Sequence, residues 1–351
     1  MGPNHTLQRT AAGGGSFGLV TLEFFDPWHR EPRIQSPKKP TMKHSIIKAN
    51  GIDLHVVELG EGPPVLFCHG FPDTWRGWRR QLEAVAQAGF RAIAPDMRGY
   101  GRSSAPVEAE QYTPFQTVGD LVELLDQLHL PSATIVGHDF GAHVAWHAAL
   151  LRPDRFPAVF ALSVAFAPRG DESLLTHFRK AGQENFYMFR QLRPEADQEW
   201  ADASRSIPGA LYWLSATPPP AERFDPLDGT FRFNRPTPVA IPPWADADDV
   251  AYTVAEFTRT GFHGGLNYYR MIEPFFALSA AFKGSTVQVP CFFAIGAADG
   301  LKKVGNSDEA QLRQVLPNLR GYLEVENAGH WPQQENPEAV TQALLGFLHS
   351  L

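Results

Sequence analysis

From Lys43 to Val164 the chain alternates short apolar runs with stretches of helical spacing, and this alternation constrains the fold more than any other feature. The runs SIIKAN, LHVVELG, PVLFCHG, RAIAPDM, ATIVGHD and AVFALSV are rich in β-branched and aromatic residues, which predicts strands. Between the later ones, Trp78–Ala88, Phe115–Leu128 and Ala142–Leu151 read as helices. Alternation of this kind predicts βαβ units, and continuous apolar strands predict a mostly parallel sheet buried on both faces. After Val164 the pattern breaks. From Pro168 to Lys283 the chain is aromatic and proline-rich, with weakly strand-like content and helical patches such as Ala245–Thr258. The strand VPCFFAIGAAD, the helix GNSDEAQLRQVL, the strand GYLEVENAG and the helix PEAVTQALLGFLHSL then resume it. The expected organisation is one α/β domain made of residues 43–167 and 284–351, interrupted by a mainly helical insertion over 168–283 and preceded by a disordered leader over 1–42.

Charge removes some functions. With 31 Lys and Arg against 38 Asp and Glu the formal charge is −7, the wrong sign for neutralising phosphates, so no nucleic-acid partner is expected. No run approaches the roughly 20 apolar residues that a membrane span needs. The opening MGPNHTLQRTAAGGGSFG has no charged start followed by an apolar core, so it does not read as a secretory signal. Cys68 and Cys291 sit within apolar runs without CxxC context, which predicts two buried thiols in a reduced, cytoplasmic compartment rather than a disulfide or a metal site.

The chemistry concentrates in Thr134–Ala142, where an apolar strand runs into Gly137-x-Asp139-x-Gly141 and directly into a helix. This is the spacing of a nucleophile elbow, with Asp139 at the apex. A carboxylate attacking an acyl carbon would make a mixed anhydride, a poor intermediate for ester hydrolysis. Attack on a saturated carbon makes an alkyl ester that can wait for water. The electrophile is therefore an sp³ carbon with a leaving group, an epoxide or an alkyl halide. Splitting that ester needs a base and an acid to orient it. His330 follows the last strand in Ala328-Gly-His-Trp-Pro, and Asp299 closes the strand before, in the nucleophile–acid–histidine order of α/β-hydrolases. The tetrahedral oxyanion needs donors. Pro72 has no N–H, so the backbone N–H groups of Phe71, after His69-Gly70, and of Phe140, at the helix N-terminus, are the candidates.

Those segments resemble the soluble epoxide hydrolases of the α/β-hydrolase fold, from about Lys43 to the C-terminus. The resemblance is carried by His69–Trp75, Pro95–Ser104, Gly137–Gly141, Leu162–Arg169, Gly261–Arg270 and Gly329–Trp331. It implies an α/β-hydrolase fold with a helical cap. Asp139 would open the epoxide, and His330, oriented by Asp299, would activate water. Two cap tyrosines, Tyr269 in GFHGGLNYYR and Tyr187 in ENFYMF, would hold the epoxide oxygen, with Tyr268 left to packing. Trp75 and Trp331, inside the matching segments, are expected to bind substrate. The implied partners are a hydrophobic epoxide and water, with a homodimer as the assembly and neither cofactor nor metal. Phe140 stands where the family commonly has Trp, and Phe71 where dehalogenases of this fold have Asn, so neither halide-holding side chain is present. A haloalkane or haloacid dehalogenase using the same Asp is the first alternative, and a catalytically idle ligand-binding protein of this fold the second.

Three further features read as structural. His143 and His147 have the i, i+4 spacing of a zinc pair, but no Glu follows His143 and no third ligand is apparent. The acidic cluster Asp246–Asp249 suits a helix N-terminus, and Arg76, Arg79 and Arg80 read as a solvated helix face.

Overall fold

Strands β1 (Lys43–Ala49), β2 (Ile52–Leu59), β3 (Pro64–Cys68), β4 (Arg91–Pro95), β5 (Thr134–His138), β6 (Val159–Leu162), β7 (Cys291–Gly296) and β8 (Leu319–Val325) form one sheet in a computed structural model that describes residues 41–230 and 232–351. Almost all of the expected leader lies outside the described residues. The order is β1-β2-β4-β3-β5-β6-β7-β8. β2 pairs antiparallel with β1 and β4, and every other pairing is parallel. This is the α/β-hydrolase fold that the sequence predicts.

The apolar runs are continuous because both faces of the sheet are covered. Leu66, Cys68 and Ile135 enter one core, with Leu121 and Leu124 of α2 (Pro114–Gln127) and Val144 and Ala145 of α3 (Phe140–Leu151). Their neighbours Val65, Phe67 and Val136 enter a separate core, with Leu82 and Val85 of α1 (Arg79–Gln87) and Val340, Leu344 and Phe347 of the last helix, Pro337–His349. Alternation of side chains along a strand thus divides the interior into two. Helix starts follow local rules. Thr113 Oγ1 accepts from the Gln116 N–H, and Pro114 opens α2 where a missing N–H costs nothing. Cys68 and Cys291 are buried and unbridged, and burial pushes the Cys291 thiol up to about 12 and the Cys68 thiol further.

Among the described residues between β6 and β7 there are helices and no strands, so the weakly strand-like content of that stretch does not materialise. Its aromatic residues serve packing instead: Phe186, Trp200, Phe257 and Phe262 are buried. Arg76 and Arg79 also differ from expectation. Rather than facing solvent, Arg76 Nη1 and Arg79 Nε each lie 2.8 Å from Asp249 carboxylate oxygens, and Arg79 Nη2 lies 2.8 Å from Asp246. Asp246 in turn caps the helix Ala247–Thr260 through the N–H groups of Asp248 and Asp249. The acidic cluster thus opens a helix as expected, and it also meets the arginines in one contact between the first crossover and the insertion.

Candidate active site

β5 ends at His138 and α3 begins at Phe140, leaving Asp139 alone at the turn with φ 54° and ψ −123°. An L-residue holds such a conformation only when its surroundings enforce it. Two glycines make room: a Cβ on Gly137 would strike the carbonyl of Gly141, and one on Gly141 the carbonyl of Cys68. The carboxylate is buried, yet both its oxygens are engaged. Oδ1 accepts a hydrogen bond from the Phe71 N–H at 2.8 Å, and Oδ2 lies 3.5 Å from His330 Nε2. Burial by itself would raise the Asp139 pKa. His330 and the Phe71 N–H outweigh it and hold the group below its ordinary value, so it is an anion.

His330 Nδ1 lies 3.1 Å from Asp299 Oδ2. Asp299 follows β7, where its other oxygen accepts the Leu301 N–H at 2.9 Å and fixes the carboxylate plane. Burial disfavours the imidazolium, but the adjacent Asp299 and Asp139 carboxylates prevail and push the His330 pKa up to about 10. The resting site is thus an imidazolium between two carboxylates. Alkylation of Asp139 would remove one of those charges and release the proton, making His330 a base at the step that needs one.

Tyr187 and Tyr269 stand with ring centroids 6.3 Å apart and planes at 88°. With Asp139, His330 and Phe71 they line a small cavity of about 20 Å³, enough for roughly one water or a small polar atom. Burial raises both phenols well above their ordinary pKa, reinforced by Asp139, so both are protonated donors. A larger cavity of about 610 Å³ also opens on Asp139 and Tyr187, its walls largely aromatic and aliphatic. Tyr268 instead donates to the Arg98 carbonyl at 3.0 Å. Phe140, the first residue of α3, has its N–H at the helix start, free of any intrahelical acceptor. Trp75 and Trp331 line neither cavity: both indoles are buried, with Nε1 donating to Tyr252 Oη (3.2 Å) and to the Ala210 carbonyl (3.3 Å). Trp331 stands beside the site with its ring against His330, centroids 5.0 Å apart.

Sequence reasoning overlooks what holds the base. Glu335 Oε1 accepts the N–H groups of Gly329 and Trp331, on either side of His330, at 2.9 and 3.0 Å, while Oε2 accepts the Ala216 N–H at 2.8 Å. Burial carries this carboxyl to about 7 despite those three donors. The His330 carbonyl accepts from His138 Nε2 (2.6 Å) and Ser163 Oγ (3.1 Å), and its N–H donates to the Leu214 carbonyl. His138 is visible in G-H-D as a motif letter. Glu335 carries no signal at all, since its partners are backbone groups.

The family profile described as alpha/beta hydrolase fold matches residues 63–337. The chain is 56% identical over 311 residues to an epoxide hydrolase of Caballeronia sordidicola, a match spanning 88% of this chain and 94% of the relative. It is 38% identical to epoxide hydrolase A of Mycobacterium tuberculosis, over 87% and 97% of the two chains. Among solved structures, epoxide hydrolase A from Mycobacterium thermoresistibile superposes with a TM-score of 0.80 at 38% identity, covering 88% of this chain and 98% of that one. A mutant of potato epoxide hydrolase superposes with a TM-score of 0.79 at 30% identity, covering 89% and 100%.

Proposed function

The chain belongs to the α/β-hydrolase fold family and within it to the epoxide hydrolases, and on that premise we propose that Asp139, His330, Asp299, Tyr187 and Tyr269 carry its reaction. The enzyme converts an epoxide and water to a vicinal diol. One observation supports the assignment above the rest: Asp139 offers Oδ1 to a backbone N–H and Oδ2 to the side of His330, in a cavity it shares with both tyrosines.

In this reading Oδ2 attacks an epoxide carbon, the C–O bond breaks, and a phenol of Tyr187 or Tyr269 protonates the alkoxide. The ester left on Asp139 no longer holds the His330 proton, which returns to the tyrosinate. Neutral His330 then takes a proton from water, the hydroxide adds to the Asp139 carbonyl carbon, and Oδ1 becomes the oxyanion facing the Phe71 and Phe140 N–H groups. Collapse releases the diol and restores the carboxylate and the imidazolium. The segment 168–283 serves as a cap that brings the two tyrosines over the nucleophile. A cytoplasmic compartment suits the two unbridged thiols.

Asp139→Ala tests the nucleophile. Diol formation should fall below detection, and full activity in that variant would sink the mechanism. Assayed beside a haloalkane, wild-type protein should yield diol from styrene oxide and release no halide.

A further inference from the structure

About one and two turns of α3 beyond the nucleophile, His143 and His147 break a largely apolar stretch of the larger cavity's wall. Their rings stack obliquely, centroids 4.3 Å apart. His147 Nδ1 lies 2.8 Å from the His143 carbonyl oxygen. A carbonyl only accepts, so Nδ1 carries the proton, and in a neutral ring Nε2 is left as a bare acceptor. That Nε2, and both ring nitrogens of His143, have no hydrogen-bond partner among the described residues. They are also absent from the polar atoms sealed away from solvent without a partner. Around the pair the cavity is lined by Trp146, Leu150, Phe166 and Phe275, with polar groups such as Ser163 and Arg169 elsewhere on its wall. His147 Nε2 and the one acceptor nitrogen of a neutral His143 thus face the cavity with no protein partner among the described residues.

We propose that His143 and His147 form a polar subsite that accepts a hydrogen bond from a hydroxyl borne by the substrate, remote from the epoxide; this rests on the epoxide reading of Asp139. Both rings are suited to it. Burial holds each below its ordinary pKa, and in His143 the neighbouring His147 adds to the effect, so the pair binds as neutral imidazoles and not as an anion site. Helical rise sets the ruler: positions four and eight residues beyond Asp139 lie about 6 and 12 Å along the axis, the reach of a terminal epoxide of roughly six to ten carbons. The preferred substrate is then a hydroxylated aliphatic epoxide.

The test compares kcat/KM for terminal epoxides of equal length ending in a hydroxyl, a methyl ether or a methyl group. Wild-type protein should favour the hydroxyl over the methyl ether by roughly 3- to 10-fold, the scale of one neutral hydrogen bond. The His143→Met, His147→Leu double variant should lose that ratio, and His147→Gln, which keeps an acceptor, should retain part of it. Equal kcat/KM for hydroxyl and ether in wild type overturns the subsite, even where a variant does not fold. So does an undiminished ratio in a folded double variant. Failure to form diol from any of the three epoxides is a different result: it overturns the epoxide reading itself, and the subsite with it.

Discussion

His330 Nε2 stands 3.5 Å from Asp139 Oδ2, at the outer limit of a hydrogen bond. The same ring is held at 3.1 Å by Asp299 on its other side. His330 is therefore held closely by Asp299 and only loosely by Asp139.

That asymmetry makes the two steps separable. His330→Gln should still be alkylated but should not release product. Intact-protein mass spectrometry after incubation with styrene oxide should show a gain equal to the whole epoxide, with diol release slowed at least 100-fold, the usual scale of general-base catalysis. An unmodified mass with no turnover would mean that His330 is needed for ring opening, contrary to the mechanism.

His330 also links stability to pH. Its pKa rises from an ordinary 6.5 to about 10 in the fold, so between those values the native state holds a proton that the unfolded chain has lost. Its stabilisation is complete below pH 6.5 and is lost as pH climbs toward 10. His138 works in the opposite direction: burial first, and then His330, lowers it to about 3, so its contribution is lost as pH falls below 6.5. The melting temperature should decline between pH 7 and 10, and His330→Gln should flatten that decline. An equal slope in both proteins would refute the coupling.

The tyrosines should act in ring opening alone. Tyr187→Phe and Tyr269→Phe each remove one donor while the other remains, so single-turnover alkylation should slow by about 10- to 100-fold. Hydrolysis of the preformed ester should be little affected. A variant slowed equally in both steps would point to a disturbed fold, which the melting temperature would reveal.

Glu335 orders the loop that carries the base. Glu335→Ala strips acceptors from three N–H groups, two of them flanking His330. We expect a stability loss of about 1–3 kcal/mol, the cost of leaving buried partners unmade. Ester hydrolysis should slow more than alkylation. Glu335→Gln keeps an oxygen for Gly329 and Trp331 but turns an amide toward the Ala216 N–H, so it should recover only part of both. Wild-type kinetics and melting in Glu335→Ala would remove the residue from this role.

Much of this enzyme was legible in one dimension. The strand-to-helix junction at Gly137–Gly141, the carboxylate at its apex and the C-terminal Gly-His are local patterns, because steric relief at a turn involves residues a few positions apart. The apolar runs were readable for the same reason, since burial on both faces of a sheet shows in consecutive letters. Asp in place of Ser at the apex narrows the electrophile to a saturated carbon before any fold is known.

Other facts depended on chain segments meeting. Arg79 and Asp249 are 170 positions apart, and nothing near either announces the ion pair that joins them. Glu335 binds backbone N–H groups that every residue but proline possesses, so no spacing could reveal it. Trp75 and Trp331 lay in the right segments, yet their indoles turned to Tyr252 and Ala210, since a buried ring N–H takes whichever acceptor packing supplies. The His143–His147 pair had the spacing of a metal site, and only the cavity beside it, with one nitrogen already committed to a carbonyl, recast it as a hydrogen-bond acceptor. Sequence determined the elements and the reactive group because both are set by short-range sterics and residue chemistry. Tertiary structure decided which polar groups were left without partners, because that depends on every segment packed around them.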